Sequence, residues 1–209
     1  MGAEPLILLA TRSQDKAREI RQILAPVFKG RIVGLDEAGI PATDEEEGIE
    51  VFDTFIENAH AKAAYFLGRA GIPTLADDSG LRVDALDGAP GVRSKRYANR
   101  TDLEGRDLDD ANNIRLLAEL RAVPSSGRTA RYLCAAVLHL PDARRYSAIG
   151  TCRGYILTQL RGTAGFGYDP LFLDADSGLS FGETDPAVKN RKSHRAAAFR
   201  ALAANLPRL

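Results

Sequence analysis

The sequence predicts a mixed α/β sheet, and three observations carry that expectation. Short continuous apolar runs, Leu6 to Ala10 and Ile72 to Ala76, read as strands buried on both faces. Segments with helical apolar spacing separate them, and a pair of longer strands follows late in the chain. No internal repeat and no Ser/Gly/Pro linker divides the 209 residues, so one domain spanning residues 1–209 is expected.

Each element has a local reason. After the first apolar run, Ala17, Ile20, Ile23 and Leu24 share one helical face, and Pro26 ends the helix. Gly30 to Leu35 reads as a second strand, and Asp44 to Glu47 as an acidic loop. A helix over Phe52 to Ala70 places Phe52, Phe55, Ile56, Ala59, Ala63, Phe66 and Leu67 on one stripe, with Gly71 and Pro73 as stops. Ile72 to Ala76 is expected to end in a sharp turn at Asp77-Asp78-Ser79-Gly80. A helix over Asp109 to Val123 is expected to bury Ile114, Leu117 and Ala118, its apolar face widened by Leu116 and Leu120. Strands near Ala130 to Leu140 and Tyr146 to Leu157, with Pro141-Asp142 between them, suggest an antiparallel hairpin. A Gly-rich loop covers Gly162 to Gly167. The final helix begins near Ser193 and buries Phe199, Leu202, Ala203 and Leu206.

Composition excludes several classes. Lys and Arg total 28, as do Asp and Glu, so no basic coat is available for a nucleic-acid polymer or an anionic membrane. No apolar run approaches the length that spans a bilayer, and Pro5 to Ala10 is too short for a signal peptide. Cys134 and Cys152 make neither a disulfide scaffold nor a zinc set and read as reduced core residues. A cytoplasmic location is the expectation.

Several polar segments stand where chemistry is expected in an α/β protein. Thr11-Arg12-Ser13-Gln14-Asp15-Lys16 joins the first strand to the first helix. It is either an anion site, with helix N–H groups and Lys16 facing phosphate, or a simple N-cap with a solvated lysine. The chain contains no GxxxxGK[ST] loop. Asp77-Asp78 is the strongest local signal: carboxylate oxygens after a buried strand suit Mg²⁺, the alternative being an Asx-type turn with no chemistry. Lys62, flanked by Phe55 and Asn58 at the edge of an apolar stripe, either snorkels or reaches a phosphate. Gly165-Phe166-Gly167-Tyr168-Asp169-Pro170 sets aromatics beside glycines, either to stack on a base or as a plain turn. Lys189 to Arg195 puts cations at the start of the last helix, an unfavourable place for them, so the segment either binds an anion or a base or is a solvated basic stretch. His60 and His139 have no evident partner in the sequence.

Taken together these segments resemble the inosine/xanthosine triphosphate pyrophosphatases, the non-canonical purine NTP pyrophosphatase family. The matching blocks run in order along nearly the whole chain: Ala10-Thr11 with Lys16 to Glu19, Thr54 to Ala59 with Lys62-Ala63, and Ala76 to Leu81. Gly88 to Val92 with Ser94 and Arg96-Tyr97-Ala98 follows, then Gly165 to Pro170 and Ser193-His194-Arg195.

The resemblance implies an elongated mixed sheet flanked by helices, two lobes with a substrate cleft between them, a homodimer and Mg²⁺ dependence. It implies hydrolysis of ITP, dITP and XTP to monophosphate and pyrophosphate, which removes deaminated purines from the nucleotide pool. Thr11, Arg12, Ser13, Gln14, Asp15, Lys16 and Lys62 would hold the triphosphate. Asp78 would be the catalytic and metal-binding carboxylate, with Ser79 touching substrate. Phe166, Gly167, Tyr168 and Asp169 would stack on and hydrogen-bond the base, and Lys189, His194 and Arg195 would complete recognition.

Three departures from the family pattern stand out. Arg12-Ser13 occupies the place of the usual Gly-Asn. Extra residues before Thr54 shift the metal-assisting glutamate, and counting back from Gly48 gives Glu46, with Glu45 and Glu47 as alternatives. Arg93 and Lys95 replace the usual Tyr and Ala. The competing readings are a pyrophosphatase for modified pyrimidine nucleotides and a nucleotide-binding protein without catalysis.

Overall fold

The computed structural model describes residues 4–205. Among these described residues six strands and five α-helices follow one another as β1 (Leu6–Leu9), α1 (Gln14–Leu24), β2 (Arg31–Gly34), α2 (Phe55–Ala70), β3 (Thr74–Val83), α3 (Gly105–Glu119), β4 (Thr129–His139), β5 (Arg145–Ile156), β6 (Phe172–Asp174), α4 (Pro186–Lys192) and α5 (His194–Ala204). The strands form one sheet in the order β2-β1-β3-β4-β5-β6. β1 pairs in parallel with β2 and β3, and β6 pairs antiparallel with β5, so the sheet is mixed as expected. Backbone bonds from Leu140 N–H to Arg144 and from Ile156 N–H to Arg128 give β4 and β5 the register of an antiparallel hairpin.

The chain divides into two compact units, each drawn from separated stretches. The first comprises residues 1–78, 134–150 and 195–209, and the second residues 79–133 and 151–194. The core of the first unit gathers Ile7 and Leu9 of β1, Leu75 of β3, Cys134, Ala136 and Leu138 of β4, and the inner faces of α1 and α5. Isolated helices of eleven residues are marginal in water, so burial of Ile20, Ile23 and Leu24 is what holds α1. Each such side chain contributes roughly 1.5–3 kcal/mol of transfer free energy. The core of the second unit is richer in aromatics, with Tyr97, Tyr132, Tyr168, Phe172 and Phe181 around Leu81, Leu116 and Ile156. Both cysteines are buried and unbridged, Cys134 in the first core and Cys152 in the second.

Several elements differ from the sequence expectation. α2 begins at Phe55, because Thr54 caps it: its hydroxyl oxygen accepts the Glu57 N–H, and the same hydroxyl donates to the Glu57 carboxylate. Phe52 therefore lies outside the helix and is exposed. α3 buries Leu108, Asn112, Asn113 and Leu116, while Ile114 is 69% exposed, because the polar asparagines are taken up by hydrogen bonds to neighbouring loops. β3 does not turn at Asp77-Asp78-Ser79-Gly80 but continues to Val83. The aspartates are compensated by cations and an amide, so the buried strand proceeds through them. A separate short helix, α4, carries Lys189, and Ser193 closes that helix. Phe199 and Leu202 of α5 are buried as expected, and Leu206 lies outside the described residues. Among the described residues no helix is long and apolar enough to cross a membrane.

Candidate active site

In the first unit, charged side chains converge on Asp77 and Asp78, at the end of the N-terminal half of β3. Asp77 is fully buried and Asp78 nearly so. Lys16 Nζ lies 3.2 Å from Asp77 Oδ2, and Arg195 Nε lies 3.6 Å from the same oxygen. Lys62 Nζ donates to the Asp77 carbonyl oxygen at 2.8 Å and pairs with Glu50. Lys16 and Lys62 are thus neither solvated nor snorkelling.

Local sequence explains how these groups are aimed. Ser13 caps α1, its hydroxyl accepting the Lys16 N–H, which starts the helix beside the end of β1. On α2, Asn58 and Lys62 are four residues apart and share a face. Asn58 is 1% exposed and works in two directions. Its amide nitrogen donates to Asp78 Oδ2 and to the Phe52 carbonyl, each at 3.1 Å, and its oxygen accepts the Phe52 N–H at 2.9 Å. That clip ties the segment holding Glu50 to Asp78.

Burial would raise the Asp77 carboxyl, but Lys16, Arg195 and Lys62 outweigh it and hold it well below the usual range. Burial pushes the Asp78 carboxyl up to about 6, reinforced by Glu50 and opposed by Lys16, Lys62 and the Asn58 bond. Glu50 is lowered, since Lys62 and Lys16 overcome its burial. Asp77 is therefore a permanent counter-ion, while Asp78 changes protonation near neutrality.

The glutamate expected at Glu46 is placed elsewhere. Glu46 accepts from Arg12 through both oxygens, at 3.0 and 2.7 Å, and Arg12 also reaches Asp36 and the Ile40 carbonyl. Bidentate geometry fixes this pair, so Arg12 braces the acidic 3₁₀ turn Asp44–Gly48 rather than joining Lys16. The acidic neighbour of Asp78 is Glu50, which counting back from Gly48 passes over. Asp78 and Glu50 are the carboxylates here whose oxygens suit a hard cation. No cluster of three or more His, Cys, Asp or Glu suited to a metal occurs among the described residues. A site of one or two carboxylates completed by substrate phosphates needs no such cluster. Gln14 is exposed, and Asp15 pairs with Arg18.

The second unit holds the aromatic group. Asp169 Oδ2 accepts the Phe166 N–H at 2.8 Å and pairs with Lys189 Nζ at 2.6 Å. Lys189 Nζ stands 4.9 Å above the Phe166 ring, within cation–π range. His194 is buried and stacks on Tyr132, with ring centroids 4.5 Å apart. Tyr168, expected at the base, is instead drawn into the core, its hydroxyl donating to the Ser94 carbonyl at 2.8 Å. Ser79 follows Asp78 on β3 and is half-buried.

The profile of the Ham1 family matches residues 7–205. The chain belongs to the Ham1 family. A protein of Frankia alni named dITP/XTP pyrophosphatase is 44% identical over 197 residues, covering 94% of this chain and 95% of its own. A namesake from Geobacter sulfurreducens is 43% identical, covering 92% of each chain. Among solved structures, a HAM1 protein from Coxiella burnetii superposes with a TM-score of 0.81 at 33% identity, covering 96% of this chain and 97% of that one. This Ham1 fold is the mixed α/β sheet described above.

Two histidines that the sequence left without partners meet in the first unit. His60 Nδ1 lies 2.8 Å from His139 Nε2. Both line a shallow cavity of about 370 Å³, and His139, Ala64 and Arg145 also line a neighbouring one of about 270 Å³; no residue of the carboxylate cluster lines either.

Proposed function

We propose that this Ham1 protein is a nucleoside triphosphate pyrophosphatase. It hydrolyses ITP, dITP and XTP to the monophosphate and pyrophosphate, and so clears deaminated purines. The observation that carries the reading is the pair of opposed aspartates on β3 with Lys16, Lys62 and Glu50 around them. The names of its relatives in Frankia and Geobacter, dITP/XTP pyrophosphatase, support the substrate class.

Lys16 and Lys62, with the N-terminus of α1, bind and orient the triphosphate. Asp78 and Glu50 are the residues that would hold Mg²⁺. When bound, Mg²⁺ neutralises charge on the phosphates. Asp78, ionised above about pH 6, accepts the proton of the attacking water. Asp77 stays ionised and fixes Lys16 and Arg195. In the second unit Phe166, braced by Asp169 and Lys189, offers a face for the base, and His194 recognises the base edge. A site that hydrogen-bonds a 6-oxo group rejects a base presenting an amino donor there, because a buried donor would be left unpaired. The family resemblance also supports a homodimer, which sedimentation tests.

The deciding experiment measures pyrophosphate release from ITP, XTP, dITP, GTP, ATP and CTP, with Mg²⁺ and with EDTA. Metal-dependent release from the first three, with little from GTP and ATP, is the expected result. Release of orthophosphate, or turnover of CTP equal to that of ITP, would overturn the proposal.

A further inference from the structure

Within the loop carrying Phe166, Asp169 holds the Phe166 backbone, its Oδ2 accepting the Phe166 N–H at 2.8 Å, but the next residue, Gly167, has no comparable local support. Gly165 and Gly167 both have positive φ, +75° and +62°, a region where glycine is free and therefore loses most entropy on ordering. At Gly165 a Cβ would fall 2.0 Å from Asp169 Oδ2, so close approach fixes that residue. At Gly167 a Cβ would meet nothing within 4 Å, so packing around that position does not define its conformation.

What defines it comes from α3. Asp109 and Asn113 are one turn apart and project from the same face. Asp109 Oδ2 accepts the Gly167 N–H at 2.7 Å, and Asn113 Nδ2 donates to the Gly167 carbonyl at 2.9 Å. Both backbone polar groups of one glycine are thus held by two side chains of one helix. Asn113 is 3% exposed while Asp109 and Gly167 are half-buried, so both bonds are partly shielded from competing water. Its neighbour Asn112 makes the same kind of double contact with another segment, accepting the Ala98 N–H at 2.7 Å and donating to the Lys95 carbonyl at 3.0 Å. Burial of two successive asparagines on α3 is explained by these two docked backbones.

The geometry points to Asp109 and Asn113 as positioning residues that set base selectivity without touching the substrate. By fixing Gly167 they act together with Asp169 and Lys189 to hold the adjacent Phe166 ring, the surface on which the base stacks. Loosening Gly167 leaves the phosphate-binding and proton-accepting groups of the first unit unchanged, so the loss falls on recognition and not on the chemical step. This inference rests on the pyrophosphatase reading.

The test compares Asn113→Ala, Asp109→Ala and Asp109→Asn with the parent chain. Pyrophosphate release is measured from ITP and ATP, and amide hydrogen exchange is followed at residues 165–168. For both alanine variants, KM for ITP is expected to rise about tenfold, with kcat within threefold. The ratio of kcat/KM for ITP to that for ATP is expected to fall about tenfold, which corresponds to ~1.4 kcal/mol of discrimination. Asp109→Asn keeps an acceptor and is expected to stay within threefold of the parent. Exchange at 165–168 is expected to quicken at least tenfold in the alanine variants. Discrimination left intact while exchange quickens would overturn the role in selectivity, and unchanged exchange would overturn the clamp itself. If the parent chain releases no pyrophosphate, the function reading fails, while the exchange result still judges the clamp. Asp109 is only half-buried, so Asp109→Ala keeps the test open if Asn113→Ala does not fold.

Discussion

Asp77 and Asp78 are consecutive on β3, yet their carboxyls are driven in opposite directions, Asp77 far down and Asp78 up to about 6. Alternation along a strand sends neighbouring side chains to different surroundings. Burial acts on both. The difference lies in their neighbours. Asp77 has Lys16 and Arg195 beside one oxygen, whereas Asp78 has Glu50 nearby and a neutral amide as hydrogen-bond donor.

Substituting the two should therefore separate activity from stability. Asp78→Asn is expected to lower kcat by about 10³-fold or more while nucleotide still binds, within the usual range for losing a general base. Because the ionised Asp78 is disfavoured by its surroundings, the same change should leave Tm unchanged or higher at pH 8. Asp77→Asn strips the buried counter-ion from Lys16 and Arg195 and should destabilise by about 3–5 kcal/mol. Thermal melts and pyrophosphate release on both variants check this. Near-normal turnover in Asp78→Asn would refute the assignment of the proton acceptor.

Glu50 and Glu46 make opposite predictions about metal. Glu50→Gln should raise the Mg²⁺ concentration needed for half-maximal activity about tenfold or more. Glu46→Gln should leave that concentration within about twofold and loosen only the Arg12 brace, a partly exposed pair contributing on the order of 1 kcal/mol. Magnesium titrations of activity distinguish them, and the reverse ranking would return the metal to the acidic turn.

Much of this arrangement is legible in the sequence because it lies in local patterns. The α1 face of Ala17, Ile20, Ile23 and Leu24, the hairpin around Pro141-Asp142, and the Asp77-Asp78 pair are read directly from spacing. Other features depend on distant partners. Whether β3 turns at Gly80 or continues is decided by Lys16, Lys62 and Arg195, residues from three different helices. Glu50 was hidden because its placement comes from Asn58 gripping the Phe52 backbone, a contact that crosses the start of α2. The sequence signal available for it was a buried-face asparagine in the first turn of a helix already capped by Thr54. His60 and His139 are 79 positions apart, and no periodicity announces such a pair.

That histidine pair gives the fold a measurable acid sensitivity. Burial, then His60 and Arg145, lowers the His139 imidazole to about 4, and burial and Arg145 lower His60. The groups facing the pair are Arg145 on β5 and Glu57 on α2, and the latter is bonded to Thr54. A base whose folded pKa is depressed is neutral in the fold while the unfolded chain takes up a proton. Its stabilisation is therefore complete above about pH 6.5 and is lost as pH falls toward 4. The loss should be on the order of 2 kcal/mol. His139→Gln should flatten the Tm-against-pH curve across that window, and an equally steep curve in the variant would assign the sensitivity elsewhere.

Arg195 is the group that ties α5 to this chemistry. It is 2% exposed, bonds to Glu19 of α1 and lies 3.6 Å from Asp77. Its sequence position suggested an external anion, but the anions it meets are the protein's own. Burial would lower the guanidinium, yet Asp77 and Glu19 keep it firmly charged. Removing one member of such a triad leaves a buried charge uncompensated, so Arg195→Met should cost about 3–5 kcal/mol. Glu19→Gln retains a hydrogen-bond acceptor and leaves Asp77 as the counter-ion, so its cost should be smaller, about 1–3 kcal/mol. If Arg195 acts by holding Asp77 and not by binding substrate, KM for ITP in Glu19→Gln, assayed well below its Tm, should stay within about twofold of the parent. A tenfold rise in KM without loss of Tm would mean that the guanidinium reaches the nucleotide after all.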